Sequence, residues 1–254
     1  MPTPESLLAR LDEIGKSLER SGHGLALIGL GSVGTELARL DEYSDLDFFA
    51  IVEQGQKWAF IDNLNWLSVI CPIAYCFKNS SDGYKLLFED GIFCEFAVFE
   101  QAELEKIPFA AGRIVWKQAW LDDSIAFPVI STPAKQNSPT EWLVGEAITN
   151  LYVGLGRYRR GEKLSATRFI QNYAADRIVE LAARIETEQP AFKDQFASER
   201  RFEQRFPELA RQFPDFVRGY DGNIEAALSI LEFLESHFDV NPQMAQAIRE
   251  LCVD

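Results

Sequence analysis

The chain reads as an α+β protein: a mixed β-sheet with flanking helices over residues 1–135, then an all-α helical bundle over residues 136–254. Three observations predict this. Short apolar runs between residues 69 and 99 follow one another with only turn residues between them, which is hairpin spacing rather than the spacing of βαβ units. Beyond residue 140, apolar positions recur at helical intervals almost to the C-terminus. Between these regions, residues 126–139 carry Pro128, Pro133 and Pro139 among Ser, Thr and Asn, a linker composition that puts the boundary near residue 135. A chain of 254 residues is long enough for two modest cores.

Taken in order, Leu7, Leu8, Leu11 and Ile14 have helical spacing, so residues 5–20 are predicted as a helix that Gly22 and Gly24 end. Residues 25–30 form a short apolar strand, Gly31 and Gly34 mark a turn, and a short helix follows over 35–40. Residues 46–52 read as a second strand, apolar on both faces, and 56–66 as one helix rich in Trp and Phe. Strands are predicted over 69–77, 84–89 and 92–99. The separators are Asn79-Ser80-Ser81-Asp82-Gly83 and Asp90-Gly91, the latter a strong hairpin signal. Helices are predicted over 140–160, 164–187, 197–212, 221–238 and 241–252, with Asp221-Gly222-Asn223 and Asn241-Pro242 as start signals.

Composition narrows the function. The net charge is −14, from 39 acidic and 25 basic residues. Neutralising a phosphate backbone needs clustered Lys and Arg, so nucleic acid is not expected as a partner. Residues 1–133 hold 10 basic and 20 acidic residues, and the remainder 15 and 19, so most cations lie in the C-terminal half. Cys71, Cys76, Cys94 and Cys252 lack C-x-x-C spacing, and His23 and His237 are far apart, which points to incidental thiols in a reducing compartment. Met1-Pro2-Thr3-Pro4-Glu5 has no basic region before an apolar one, and no apolar run approaches the ~20 residues of a membrane helix. A cytoplasmic protein, monomeric or homodimeric and without a membrane partner, is expected.

Gly29-Leu30-Gly31-Ser32-Val33-Gly34 supports two readings. As G-x-G-x-x-G after a strand, with Glu53 24 positions beyond Gly29, it spells a dinucleotide-binding fingerprint. Against this, the later strands come as hairpins, carboxylates crowd the start of the second strand, and no second α/β domain follows. The other reading joins Gly31-Ser32 to Asp45-x-Asp47. Residues i and i+2 of a strand share a face, so both carboxylates point the same way and favour a divalent cation between them. A turn of backbone amides with a serine cradles phosphate. Glu95, an isolated acid within Ile92-Phe93-Cys94-Glu95-Phe96, completes a carboxylate trio, and its apolar neighbours predict burial.

The ordered set Gly31-Ser32, Tyr43-Ser44-Asp45-Leu46-Asp47-Phe48 and Glu95 resembles the nucleotidyltransferase superfamily that includes DNA polymerase beta. Within it the chain is most similar to lincosamide nucleotidyltransferases and related antibiotic adenylyltransferases. The likeness covers residues 25–180 and includes Leu64-Asn65-Trp66-Leu67 and Arg159-Arg160-Gly161-Glu162. The resemblance implies Mg²⁺ as cofactor and ATP or another NTP as donor, with transfer of a nucleoside monophosphate to a hydroxyl. The acceptor would be a small molecule such as a lincosamide or aminoglycoside, or else a protein or another cellular acceptor; a nucleotide-binding protein without turnover is the third expectation. Asp45, Asp47 and Glu95 would hold metal, with Glu95 also as general base, and Gly31 and Ser32 would hold the β,γ-phosphates. The chain departs from the family where a basic residue often follows the serine: the first cation after Ser32 is Arg39. Arg157, Arg159, Arg160, Lys163 and Arg168 are the expected substitutes, with Arg160 and Lys163 on the triphosphate and Lys78 and Lys85 as weaker alternatives on the sheet.

Overall fold

The computed structural model describes residues 2–130, 138–194 and 197–253. The chain divides into two compact units, Met1–Ala134 and Lys135–Asp254. The predicted boundary at residue 135, and half of the predicted linker including Pro133, lie outside the described residues.

The first unit is a six-stranded mixed sheet in the order β3-β4-β5-β2-β1-β6. The strands are β1 (Gly24–Gly29), β2 (Leu46–Val52), β3 (Ile73–Lys78), β4 (Gly83–Phe88), β5 (Phe93–Glu100) and β6 (Arg113–Lys117). Only β2 and β5 are parallel; the other four pairings are antiparallel. This overturns the dinucleotide reading. That fold needs β1 and β2 parallel with a helix between them. Here they are antiparallel, and the glycines open only a three-residue 3₁₀ turn, Gly31–Val33. Glu53, the expected ribose ligand, pairs with His23 at 2.9 Å instead.

One sheet face is closed by α1 (Pro4–Arg20). Thr3 and Ser6 cap the helix reciprocally and Pro4 occupies its first turn, so the sequence starts it cleanly. Leu7, Leu11, Ile14 and Leu18, one stripe of that helix, are fully buried against Leu46, Phe48, Ala50, Val52, Cys94, Phe96 and Val98. Burial pushes the Cys94 thiol far above its ordinary range, so it stays an inert core thiol. The predicted helix over 56–66 is two short helices, α2 (Lys57–Ile61) and α3 (Asn65–Ser68). The Asn63 side chain accepts from the Asn65 backbone N–H at 2.9 Å and breaks the run.

On the other face a second cluster gathers Phe49, Ile51, Phe99, Leu104, Phe109, Leu121 and Ile125. Lys57, with a side chain 7% exposed, ties the start of α2 to two other segments: it meets Asp82 at 2.6 Å and Glu103 at 2.7 Å. Burial works to lower the Lys57 ammonium and to raise the Asp82 carboxyl. Their mutual hydrogen bond, with Glu103 and Ser81 assisting, outweighs it, so Lys57 titrates above its ordinary value and Asp82 below. A depressed carboxylate stabilises the fold above its unfolded pKa, and that contribution is lost as pH falls through the folded value. A raised lysine contributes below its unfolded pKa and loses that contribution only in strong alkali. Lys57→Met is therefore expected to lower the melting temperature at pH 7 and to flatten the acid limb between about pH 5 and 3. Melting followed by circular dichroism checks this; parallel curves for both proteins would refute it.

The second unit is helical: α4 (Thr140–Arg159), α5 (Lys163–Thr167), a π-helical segment (Arg168–Ala174), α6 (Ala175–Leu181), α7 (Phe202–Arg205), α8 (Pro207–Ala210), α9 (Phe213–Phe216), α10 (Asn223–His237) and α11 (Pro242–Cys252). Its core joins Leu143, Leu151, Leu155, Ile170, Ile178, Ile230, Leu234 and Ile248. The predicted helix over 197–212 is broken, because Arg201 takes a left-handed conformation and Pro207 starts a new turn after non-helical Phe206. The predicted helix over 164–187 is helical to Leu181 and closes in a 3₁₀ turn, Ala182–Arg184, with the π segment inside it. There Gln171, 4% exposed, clamps Gly219 by donating to its carbonyl and accepting from its N–H, and it also donates to Asn223.

Two glycines of α4 separate packing from propensity. A Cβ on Gly154 would stand 2.6 Å from Ile170 Cγ1, whereas Gly156 has open space. Gly156→Ala is expected to stabilise by up to about 1 kcal/mol through helix propensity. Gly154→Ala is expected to destabilise by about 1–2 kcal/mol through overpacking. Urea titration resolves the two signs.

Candidate active site

The carboxylates lie on the second sheet face, away from α1. Alternation along β2 sends Leu46, Phe48 and Ala50 into the α1 side, so Asp45 and Asp47 emerge on the opposite face, both half-buried. Directly paired residues on adjacent strands share a face. Asp47 pairs with Glu95 across the parallel β2–β5 ladder, Glu95 with Lys85 across β5–β4, and Lys85 with Phe77 across β4–β3. The register thus writes a transverse row: Asp47, Glu95, Lys85, Phe77. Tyr75, Leu87 and Phe93 form the next row, and one further step of the β2–β5 register brings in Asp45.

Glu95 is not buried as its neighbours predicted; its side chain is 41% exposed. Cys94 and Phe96 point to the opposite face, so their apolarity says nothing about the side on which Glu95 sits. One Glu95 oxygen accepts from Asn79 Nδ2 at 2.9 Å and the other meets Lys85 Nζ at 3.1 Å.

The glycine turn lies against Asp47. Leu30 N–H donates to the Asp47 carbonyl at 2.8 Å, tying the turn to the start of β2. Gly31 has φ +52°, a left-handed conformation that suits glycine. A Cβ on Gly31 would stand 3.0 Å from Arg39 Nη2 and 3.6 Å from Asp47 Oδ2. Gly34 allows backbone to cross backbone, since a Cβ there would lie 2.7 Å from the Gly29 carbonyl oxygen. Ser32 is 3% exposed within the turn. Arg39, on a three-residue 3₁₀ turn (Leu37–Arg39), folds back over Gly31 while its Nε pairs with Glu36. In sequence Arg39 is the first cation after Ser32, seven residues on; the turn returns it in space to Gly31.

The expected cations of the second unit are engaged locally. Arg160 pairs with Glu162 at 2.9 Å and Lys163 with Asp221 at 3.1 Å, and that hydrogen bond raises the Lys163 ammonium above its ordinary value. Arg157 donates to Ser165 at 2.6 Å, and Arg159 Nε donates to the Leu251 carbonyl at 2.8 Å.

Asp45, Asp47 and Glu95 supply the hard oxygen donors that Mg²⁺ takes. Two aspartates at i and i+2 on one face fit that role as they stand. The third does not, as oriented: among the described residues no three His, Cys, Asp or Glu side chains gather closely enough to hold a metal ion. Glu95 is engaged instead with Lys85 and Asn79. Nor does any helix among the described residues have the length and apolarity to cross a membrane.

No protein-family model matches the chain, and no curated protein matches it. Among solved structures it is similar to an aminoglycoside 6-adenyltransferase from Bacillus subtilis, at 12% identity, over 99% of this chain and 92% of that one, with TM-score 0.36. It is also similar to a nucleotidyltransferase-like protein from Exiguobacterium sibiricum, at 7% identity, over 95% and 74%, with TM-score 0.37. Likenesses at that level leave the functional reading to the side chains themselves.

Proposed function

We propose that the first unit is the catalytic domain of a metal-dependent nucleotidyltransferase that moves a nucleoside monophosphate from ATP, or another NTP, to a hydroxyl of a small molecule. A lincosamide or aminoglycoside fits the acidic charge balance of this chain as acceptor. The observation that carries the reading is the register: Asp45 and Asp47 share a sheet face beside Glu95, next to a left-handed glycine turn with an arginine over it.

Asp45 and Asp47 hold Mg²⁺, which supplies neutralisation of phosphate charge when bound. Gly31 and Ser32 receive the β,γ-phosphates, and Arg39 is the cation already beside that turn. The acceptor oxygen bonds to the α-phosphorus, the α–β bridging P–O bond breaks, and pyrophosphate leaves with the electron pair. Glu95 takes the hydroxyl proton and passes it to solvent, with Lys85 and Asn79 holding its carboxylate for that task, and it would be the third carboxylate available to the metal.

The test is calorimetric titration of a non-hydrolysable ATP analogue with and without Mg²⁺, followed by pyrophosphate release with candidate acceptors. Metal-dependent binding with acceptor-dependent release is expected. Absence of metal-dependent binding would sink the proposal, and binding without release to any acceptor would favour a nucleotide-binding protein.

A further inference from the structure

Two aromatic side chains on the active face serve no core. Tyr75 is 57% exposed and Phe77 54% exposed, on β3, the edge strand. A soluble protein has little reason to keep two large rings uncovered side by side unless something lies on them. They are not scattered. Phe77 ends the row that starts at Asp47, and Tyr75 ends the neighbouring row. Half-buried Leu87 and Phe93 lie between Tyr75 and the carboxylates.

Resting on the nucleotidyltransferase reading, the direction of the reaction assigns that strip. The glycine turn and Arg39 stand on the β1 side of Asp47, so the departing pyrophosphate lies there. In-line displacement puts the attacking oxygen on the opposite side of the α-phosphorus. The opposite side is the direction of β5, β4 and β3. We propose that Tyr75 and Phe77 are the acceptor subsite: the acceptor places its hydroxyl beside Glu95 and lays a flat, apolar face on the two rings. Neighbouring strands are about 4.8 Å apart, so three steps separate Asp47 from Phe77 by about 14 Å. One six-membered ring does not span that gap, whereas a molecule of two or three rings does. The Lys85–Glu95 pair beneath its middle is neutral as a unit, so the strip selects by length and apolar face rather than by charge.

The test uses Tyr75→Ala, Phe77→Ala and Phe77→Trp, surface positions whose truncation leaves the core intact. Acceptor-dependent pyrophosphate release is measured with Mg²⁺ and ATP against methyl glucoside, lincomycin and kanamycin as probes of one, two and three rings. Turnover is expected only with the longer probes. Each alanine variant should raise acceptor KM about tenfold or more, Phe77→Trp should restore it, and the Kd for the ATP analogue should not change. Unchanged acceptor KM in both alanine variants overturns the subsite, and so does equal use of the single-ring probe. Turnover with none of the probes by a protein that binds the metal–nucleotide overturns the flat-faced acceptor while sparing the parent reading. Failure to bind the metal–nucleotide at all defeats the parent reading and the subsite with it.

Discussion

Replacing Asp47 with Asn is expected to lower kcat/KM for nucleotidyl transfer by at least a factor of about 1,000, equivalent to about 4 kcal/mol of transition-state stabilisation. Asn keeps the size of Asp and leaves the backbone bond from Leu30 N–H to the residue 47 carbonyl intact, so the fold has no reason to change. What disappears is one full negative charge beside the glycine turn and Arg39, where the proposed metal would bind. Asp45→Asn should act alike, and the double variant should lose little more than either, because the pair works as a unit. Steady-state kinetics over a range of Mg²⁺ concentrations, with melting curves as the control, checks this. Activity within tenfold of wild type, with an unshifted Mg²⁺ dependence, would remove Asp47 from the metal site.

Most of the first sheet was legible from turns. Asp90-Gly91 between apolar runs gives the β4–β5 hairpin, and Gly91 adopts φ +88° there. Strand β6 was missed because Ile114, Val115 and Trp116 are all half-buried, so no alternation marks them. In the second unit, α4, α10 and α11 follow from period and start signals: Asn241 caps α11 by accepting from Gln243 and Met244 N–H. A π segment leaves the spacing of apolar residues almost unaltered, so Arg168–Ala174 was not separable from its flanking helices.

The site was legible where it depends on i, i+2 geometry and opaque where it depends on pairing between elements. Asp45 and Asp47 sharing a face follows from strand period alone. The partner of Glu95 depends on loop length. A two-residue turn at Asp90-Gly91 would oppose Glu95 to Leu86 and bury the acid's partner. The three-residue loop, closed by Phe88 N–H donating to the Ile92 carbonyl, opposes it to Lys85. One residue of loop length therefore decides whether a cation stands beside the Glu95 carboxylate. The contact of Arg39 with Gly31 likewise rests on a 3₁₀ turn too short to carry a periodic signal.

The same hairpin makes Gly83→Ala the substitution with the largest expected structural effect. Gly83 opposes Ala97, and a Cβ on it would overlap the Phe96 carbonyl oxygen and stand 3.1 Å from Ala97 Cα. These are backbone atoms of a central strand, which cannot rotate away as a side-chain tip would. Relief requires β4 to move off β5, and the Val98 N–H bond to the Asp82 carbonyl at 2.8 Å resists at that point. The expected loss is about 3 kcal/mol, with a fall in melting temperature on the order of 10 °C. The displaced strand also carries Lys85, so the 3.1 Å pairing with Glu95 should loosen and the turnover of the folded fraction should drop with it. A variant equal to wild type in both melting temperature and turnover would mean that β4 does not rely on close backbone approach at residue 83. A variant destabilised but fully active would show that Lys85 is not needed to hold the Glu95 carboxylate in place.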